Sequence, residues 1–376
     1  MKLEGGQIAN NQLMFLFLGL LLGSSIILNP AAMIGRDAWV AVFVGGLEGL
    51  LFLWVVLALA QRFSGKNLVQ INDTIFGPYV GKIVSLMYLW YFLHLGSLVL
   101  RDFGELFTTV IYIETPILVF LLLLTFVCAS AVRNGLEVIV RCTVIMVFMT
   151  VFAILFDTIF LISEMKLTNL LPILDVEWSR FLQVSHSVAS FPFGEMVVAL
   201  MVLAYSNNPR KAGVSVFGAI IISSVLLALV VARNTAVLGP ATCVQTFPSI
   251  PVIRLIRVGE FFTRLEIIIT MAILAVGFIK ITVFYYGTVL GLAQLLRLRS
   301  YLPLVLPIGA LLVVLSILSS ESNMYNTYFA FEIYPYYSLP FQIGLPLLSL
   351  LIAVIRGLPQ KGKGQERKDK TWEEEG

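Results

Sequence analysis

The stretch Ser190-Phe191-Pro192-Phe193-Gly194-Glu195 lies inside a hydrophobic run from about Val188 to Tyr205. A run of that length suits a helix that crosses a bilayer core of roughly 30 Å. Its centre is unsuited to a regular helix, because Pro192 lacks a backbone donor and Glu195 would place a carboxylate in hydrocarbon. Irregular backbone at membrane depth is tolerated only where it is buried in protein or lines a cavity. The stretch therefore predicts a broken membrane helix at a functional cavity, with a simple proline kink as the alternative.

The composition of the whole chain is that of a polytopic membrane protein. Of its 376 residues, 59% are hydrophobic and only 12% are charged, so no soluble domain is expected. We expect a single membrane domain over residues 1–358, followed by a charged cytoplasmic tail over residues 359–376. The first apolar run, from Leu13 to Leu28, has no clear cleavage pattern, so we expect it to be retained as a helix.

Reactive and metal-binding residues are too few and too scattered to indicate an enzyme. The three cysteines and two histidines have no metal-ligand spacing, and no nucleophile elbow, phosphate loop or zinc-helix motif occurs. We therefore expect no catalytic residue, no metal and no cofactor. The net charge of +3 comes largely from the ends of the spans and the tail, so it concerns membrane orientation and not nucleic acid.

Apolar windows predict an all-α integral membrane protein with about ten spans. The first five cover roughly residues 11–33, 38–60, 80–100, 116–131 and 136–162, and the second five cover roughly 186–205, 213–232, 265–290, 302–318 and 339–355. An even number of spans puts both termini on one side. That side would carry sixteen Lys and Arg against eight on the other, so the positive-inside rule places both termini in the cytoplasm.

A second interruption lies in the first span. Gly23-Ser24-Ser25 interrupts a leucine-rich helix, and Asn29-Pro30 ends the part beyond it. Small residues taken alone more often indicate close helix packing. The interrupted helices are, however, numbers one and six of ten, which is typical of two five-span halves in inverted topology. We therefore predict a 5+5 inverted-repeat transporter fold with discontinuous helices 1 and 6.

The backbone freed at the two interruptions forms the predicted pocket. Freed N–H groups at the start of a half-helix attract a carboxylate, and freed carbonyl groups attract an ammonium, so a zwitterion suits such a pocket. The predicted ligand-binding residues are Gly23, Ser24, Ser25, Ser190, Phe191, Phe193 and Gly194.

Both interruptions resemble motifs of a known transporter superfamily. Gly23-Ser24-Ser25-Ile26-Ile27 followed by Pro30 is similar to the G-S-G-I-F motif of amino acid-polyamine-organocation transporters. Phe191-Pro192-Phe193-Gly194-Glu195 resembles their F-x-x-G-x-E segment, although it is one residue shorter before the acid. Over nearly its whole length, including Leu171-Pro172-Ile173-Leu174, the chain resembles more specifically the spore germination permeases, the B subunits of nutrient germinant receptors.

This resemblance implies a receptor subunit that binds a small nutrient, such as an amino acid, sugar or nucleoside, and helps to trigger spore germination. It also implies a larger A subunit and a lipoprotein C subunit as partners, in the spore inner membrane or the bacterial cell membrane. A proton-coupled secondary transporter of amino acids or other small solutes is the alternative. Sensing and transport both need the same pocket and a scaffold with two states.

Three ionisable residues lie near the middle of predicted spans, namely Glu48, Glu195 and Lys280. Each costs about 2.5 to 3.5 kcal/mol at the bilayer centre on insertion scales, so each should find a partner or water. Some proton-coupled relatives place a lysine ammonium where others hold sodium, and the resemblance implies this role for Lys280. The alternative is a structural ion pair of Lys280 with Glu195 or Glu48. Glu48 is otherwise a structural acid, hydrogen-bonded to backbone at the break of helix 6.

Other charges are expected to contribute less. Arg101 and Glu105 have i, i+4 spacing on a helix, which predicts a surface ion pair of small energetic value. Arg254, Arg257 and Arg264 share one helical face, which is either solvated or binds a partner or anionic headgroups.

Overall fold

The computed structural model describes residues 4–256 and 265–359. Within these ranges the chain is helical, and no strand forms apart from an isolated bridge between Ile8 and Ser206. Arg257 and Arg264, two of the three arginines predicted to share a basic face, lie outside the described residues, as does the predicted tail from residue 360 onward. The third, Arg254, donates a hydrogen bond to the Val110 carbonyl at 3.1 Å.

The described residues form ten spans in two successive sets of five. The first set is α1 (Asn10–Leu22 and Pro30–Asp37), α2 (Ala38–Arg62), α3 (Leu68–Val110), α4 (Ile117–Arg133) and α5 (Leu136–Phe160). The second set is α6 (Trp178–Ser190 and 193–205), α7 (Pro209–Leu238), α8 (Leu265–Leu295), α9 (Leu302–Leu318) and α10 (Asn323–Ile355). Seven helical stretches of the described chain are long and apolar enough to cross a membrane, and three shorter apolar helices accompany them.

Several helices extend beyond the apolar windows of the sequence. α3 begins at Leu68, where the Asn67 side chain caps it by accepting a hydrogen bond from the Gln70 N–H at 3.2 Å. The segment is kinked at Gly77, which has φ 82° and ψ 178°, so the predicted start near residue 80 lies just beyond this kink. α10 begins at Asn323 instead of near residue 339, and the Ser322 side chain caps it in the same way. Hydropathy detects only the part of a helix that suits hydrocarbon, so polar helix ends are missed.

The break in α6 follows from its proline. The first half of the helix ends at Ser190, Phe191 is extended with φ −130° and ψ 103°, and helical turns resume at Phe193. Pro192 has no N–H to continue the helix, and its ring disfavours helical backbone in the residue before it. A backbone break therefore lies in the middle of the span, as predicted.

The break in α1 has two parts. A tight turn, Ser24–Ile26, follows the first half of the helix, and the second half begins at Pro30. The Asn29 side chain caps that second half by accepting a hydrogen bond from the Ala31 N–H at 3.0 Å. Proline at a helix start is favourable because its missing donor is not needed there.

Both breaks lie in the centre of the bundle. Residues 16–32 and 187–203 are all buried. α8 packs along α3 and also contacts α1, so its middle faces both breaks. α10 contains two wide π-type turns, Phe329–Ile333 and Pro340–Gly344, which change the direction in which the helix aims its side chains.

Arg101 and Glu105 form the predicted ion pair, but the prediction that it lies at the surface is wrong. Arg101 Nε lies 2.6 Å from Glu105 Oε1, but the two side chains are only 11% and 5% exposed. Arg101 also donates to the Ser316 carbonyl of α9 at 3.4 Å, and Asn326 of α10 lies against Glu105. Spacing along one helix shows that two side chains meet, but it does not show which helices cover them.

Candidate functional site

The two broken helices meet at a lysine from α8. The Lys280 Nζ atom lies 2.6 Å from Glu195 Oε2, and both side chains are 0% exposed. The same Nζ donates a hydrogen bond to Ser24 Oγ at 3.4 Å and lies 4.5 Å from the centroid of the Phe191 ring. A Cβ atom on Gly23 would collide with the Lys280 side chain, so glycine is needed for α8 to approach α1 so closely. Lys280 therefore bridges both breaks.

A polar network from α3 and α10 covers the α6 break. Tyr334 of α10 donates a hydrogen bond to Glu195 Oε1 at 3.4 Å, and its hydroxyl lies 2.9 Å from the Tyr91 hydroxyl of α3. Gln342 of α10 donates from Nε2 to Tyr91 at 2.9 Å and to the Ser190 carbonyl at 2.8 Å. The carbonyl freed by the break is thus satisfied by a side chain, as buried backbone groups require.

Gln342 fills the space at the α6 break. A Cβ atom on Gly194 would collide with the Gln342 side-chain amide, so no larger residue fits at that position with Gln342 in place. The Gln342 Oε1 atom is buried and has no hydrogen-bond partner among the described residues. A buried amide oxygen left unpaired is costly, so a donor that reaches Oε1 would be favoured.

The α1 break is satisfied by a second chain of polar groups. The Ile26 carbonyl accepts a hydrogen bond from Ser249 Oγ at 3.0 Å, and Ser249 in turn accepts one from Asn234 of α7 at 3.0 Å. Asn234 also accepts a hydrogen bond from Arg233, which forms a buried ion pair with Asp157 of α5 at 2.7 Å. The short helix Ser249–Ile253 is thereby linked to the break.

A small cavity lies beside the ion pair, between α3, α6 and α10. Its lining includes Asp102 and Val99 of α3, Phe191 and Glu195 of α6, and Tyr334 of α10. Its volume of about 20 Å³ is sufficient for a single water molecule. The structure is therefore closed around the site, and a nutrient-sized ligand requires the helices to separate.

The structure brings together most of the predicted site residues and leaves two apart. Gly23, Ser24, Ser190, Phe191, Gly194, Glu195 and Lys280 converge at the two breaks, and Ser25 is buried in the turn beside them. Phe193 instead packs against Gly49 of α2. Glu48 lies 2.6 Å from His186 Nδ1, and the two side chains are 31% and 24% exposed. Glu48 is therefore not hydrogen-bonded to the α6 break and does not pair with Lys280.

Five polar residues of the site were not predicted from the sequence, namely Tyr91, Asp102, Asn326, Tyr334 and Gln342. The only available signal was a polar residue within or next to an apolar run. That signal does not show which face of α3 or α10 points to the breaks. No group of three His, Cys, Asp or Glu side chains suited to a metal occurs in residues 4–256 and 265–359.

Comparisons with known proteins give the family. The chain matches the family described as "Spore germination protein" over residues 7–324. It belongs to that family. Among its relatives, "Spore germination protein KB" of Bacillus subtilis (strain 168) is 31% identical, with 97% of this chain and 100% of the relative covered. "Putative spore germination protein YfkT" of the same organism is 28% identical, covering 69% of this chain and 71% of the relative.

Solved structures show the fold of this chain. MhsT in complex with L-phenylalanine matches with a TM-score of 0.69 and 14% identity, covering 95% of this chain and 91% of that chain. A Na⁺-coupled sialic acid symporter matches with a TM-score of 0.69 and 9% identity, covering 93% and 89%. Mhp1, a nucleobase-cation-symport-1 family transporter, matches with a TM-score of 0.61 and 12% identity, covering 86% and 74%. The predicted all-α, inverted-repeat transporter fold is confirmed, and the chain is a multi-pass membrane protein.

Proposed function

We propose that this chain is the nutrient-binding subunit of a germinant receptor, which holds a small nutrient at the membrane midplane and helps to trigger germination. The observation that carries the proposal is the meeting of the α1 and α6 breaks at a buried ion pair beside a closed cavity. Transporter folds with two such breaks hold their ligands between them. Membership of a spore germination family supports a role in sensing a nutrient over a role in taking it up.

The proposed pocket uses the main chain at the two breaks. Gly23, Ser24 and Ser25 form its α1 side, and Ser190, Phe191 and Gly194 form its α6 side. Freed N–H and carbonyl groups there suit the two ends of an amino acid, and a hydroxyl-rich sugar or nucleoside could use the same groups. Phe193, which packs against α2, supports the α6 side from behind.

Its place in the cell follows from the same proposal. We propose a single membrane domain over residues 1–358 with a charged tail over 359–376, both termini in the cytoplasm, and the spore inner membrane as its location. A germinant receptor A subunit and a lipoprotein C subunit are the proposed partners. The chain is proposed to have no enzymatic activity, since its task is to report ligand occupancy to those subunits.

The decisive experiment compares wild type with Gly23→Leu in two assays. Spores carrying each variant are exposed to candidate nutrients, and reconstituted vesicles are tested for binding and uptake of the labelled nutrient, with and without a proton gradient. A leucine at position 23 would occupy the space of the Lys280 side chain, so binding and germination should both be lost while membrane insertion is retained. Wild type should bind saturably without concentrative uptake. A normal dose response of well-expressed Gly23→Leu would remove the α1 break from the site.

A proton-coupled secondary transporter remains the second candidate, and one observation favours it. The solved structures with this fold include Na⁺-coupled and cation-symport transporters, and here an ammonium from Lys280 stands between the two breaks. In a transporter, the Glu195–Lys280 pair would carry the coupled proton. Gradient-driven accumulation of nutrient in wild-type vesicles that disappears in Gly23→Leu would put this function first.

A further inference from the structure

The small cavity beside the breaks has a lining that favours positive charge. Asp102 and Glu195 both contribute to its wall, as do the aromatic residues Phe191, Phe329 and Tyr334. The faces of aromatic rings attract cations, most strongly where water is excluded. Carboxylates and aromatic rings together are the combination that proteins use to hold ammonium groups.

The charges around the cavity do not balance. Arg101 Nε lies 2.6 Å from Glu105 Oε1, and Lys280 Nζ lies 2.6 Å from Glu195 Oε2, so each cation has a carboxylate of its own. Asp102 forms no ion pair with any residue in the described part of the chain. Buried carboxylates are ordinarily paired or coordinate a cation, so the cavity has one acidic group without a counter-charge.

Asp102 is also incompletely hydrogen-bonded. Its side chain is buried, with 5% of the residue exposed, and Oδ1 accepts a hydrogen bond from Asn326 Nδ2 at 2.8 Å. The same amide nitrogen also lies 3.5 Å from Glu105 Oε2, so it is shared between two carboxylates. No described residue donates a hydrogen bond to Oδ2, and Asp102 lines the cavity.

We propose that Asp102 forms a subsite for a compact monovalent cation, which is either the ammonium group of the bound nutrient or a small inorganic ion. This inference rests on the proposed nutrient site and states the charge of the group that binds there. A volume of about 20 Å³ accepts one water-sized group, and an ammonium is of that size. Because Phe191 belongs both to the cavity wall and to the α6 break, a nutrient anchored here through its ammonium would extend towards the freed backbone.

The test uses the purified full chain in detergent and the saturation of its thermal stabilisation by small probes. Methylammonium chloride represents a nutrient's ammonium, potassium chloride represents an inorganic cation, and methanol is the neutral control of similar size. Each is titrated at constant ionic strength against wild type, Asp102→Asn and Asp73→Asn. Asp73 is an exposed residue of the same helix, so its variant controls for the loss of one acidic charge.

We expect methylammonium to stabilise wild type saturably. The concentration that gives half-maximal stabilisation should be at least tenfold higher in Asp102→Asn and unchanged in Asp73→Asn. The same dependence on Asp102 with potassium alone would support the subsite and identify an inorganic ion as its occupant. Stabilisation of wild type by methylammonium and by potassium that is no greater than stabilisation by methanol would overturn the proposal, and this comparison holds even where Asp102→Asn fails to fold. Saturable binding of glucose that Gly23→Leu abolishes, together with stabilisation by methylammonium and potassium no greater than by methanol, would overturn the subsite while the nutrient site stands.

Discussion

The ion pair between Glu195 and Lys280 should behave as one energetic unit. Both side chains are completely buried and their charged atoms are 2.6 Å apart. Replacing Lys280 by Met leaves the Glu195 carboxylate without its cation, and replacing Glu195 by Gln leaves the lysine ammonium with only Ser24 and the face of Phe191. Either single change therefore creates an uncompensated buried charge.

The magnitude follows from the burial of the pair. Removing one partner of a buried pair costs about 3–5 kcal/mol, while replacing both partners by neutral groups is often neutral or stabilising. Independent residues would lose about 6–10 kcal/mol in the double variant, and a true pair would lose no more than either single variant. The expected coupling energy is therefore about 3 kcal/mol or more, since it must cancel most of one single loss.

A double-mutant cycle measures this coupling. The four proteins, wild type, Glu195→Gln, Lys280→Met and the double variant, are compared by abundance in the membrane and by melting temperature in detergent. Glu137 and Arg141 of α5 provide a matched control, because they form an i, i+4 pair whose side chains are 48% and 68% exposed. That control pair should couple by only about 0.3–0.5 kcal/mol. Additive losses at positions 195 and 280, or coupling no larger than the control, would refute the reasoning.

Three further changes test the closed site. Gly23→Ala should cost about 1–3 kcal/mol of stability by overpacking against Lys280, and it should impair the nutrient response. Gly218→Ala is the control, because the nearest atom to its added Cβ would lie 4.0 Å away. This control should leave the melting temperature and the germination dose response unchanged. Arg233→Met should lower the melting temperature, because it leaves Asp157 buried without its cation at a cost of about 3–5 kcal/mol. Adding Asp157→Asn should restore part of the lost stability, and no recovery would contradict the pairing. Gln342→Ala should cost about 1–3 kcal/mol without nutrient, because a buried carbonyl loses its donor, and nutrient should then stabilise the variant more than wild type. Equal nutrient stabilisation in both proteins would show that Gln342 does not occupy the ligand's place.

The sequence is sufficient to predict the two breaks because their causes are local. Pro192 removes a donor and restricts Phe191 in any surroundings, and Gly23 permits a close approach of another helix wherever it lies. The burial of Glu195 and Lys280 also follows from their depth in apolar runs. These features need no knowledge of neighbouring helices, and the structure brings them to one place.

The contribution of α10 depends on tertiary packing and could not be predicted in the same way. Tyr334 and Gln342 reach the α6 break because α10 packs beside it and because the turns at Phe329–Ile333 and Pro340–Gly344 change the helical period. Hydrophobic periodicity assumes a uniform helix, so a π-type turn shifts every following side chain away from its predicted face. The predicted partners of Glu48 were wrong for a related reason, since its actual partner, His186, is distant in sequence.

The way in which the breaks are satisfied bears on the choice between sensing and transport. In the closed structure, Gln342 of α10 satisfies the Ser190 carbonyl and Ser249 satisfies the Ile26 carbonyl. A ligand that takes the place of these two donors would remove contacts that hold α10 and the Ser249–Ile253 helix to the breaks. We expect occupancy to change the contacts of these two segments, which is a change that a sensor could report to a partner. The ligand can drive that change only by its differential affinity, about 1.4 kcal/mol for each tenfold, and a sensor needs nothing beyond this step.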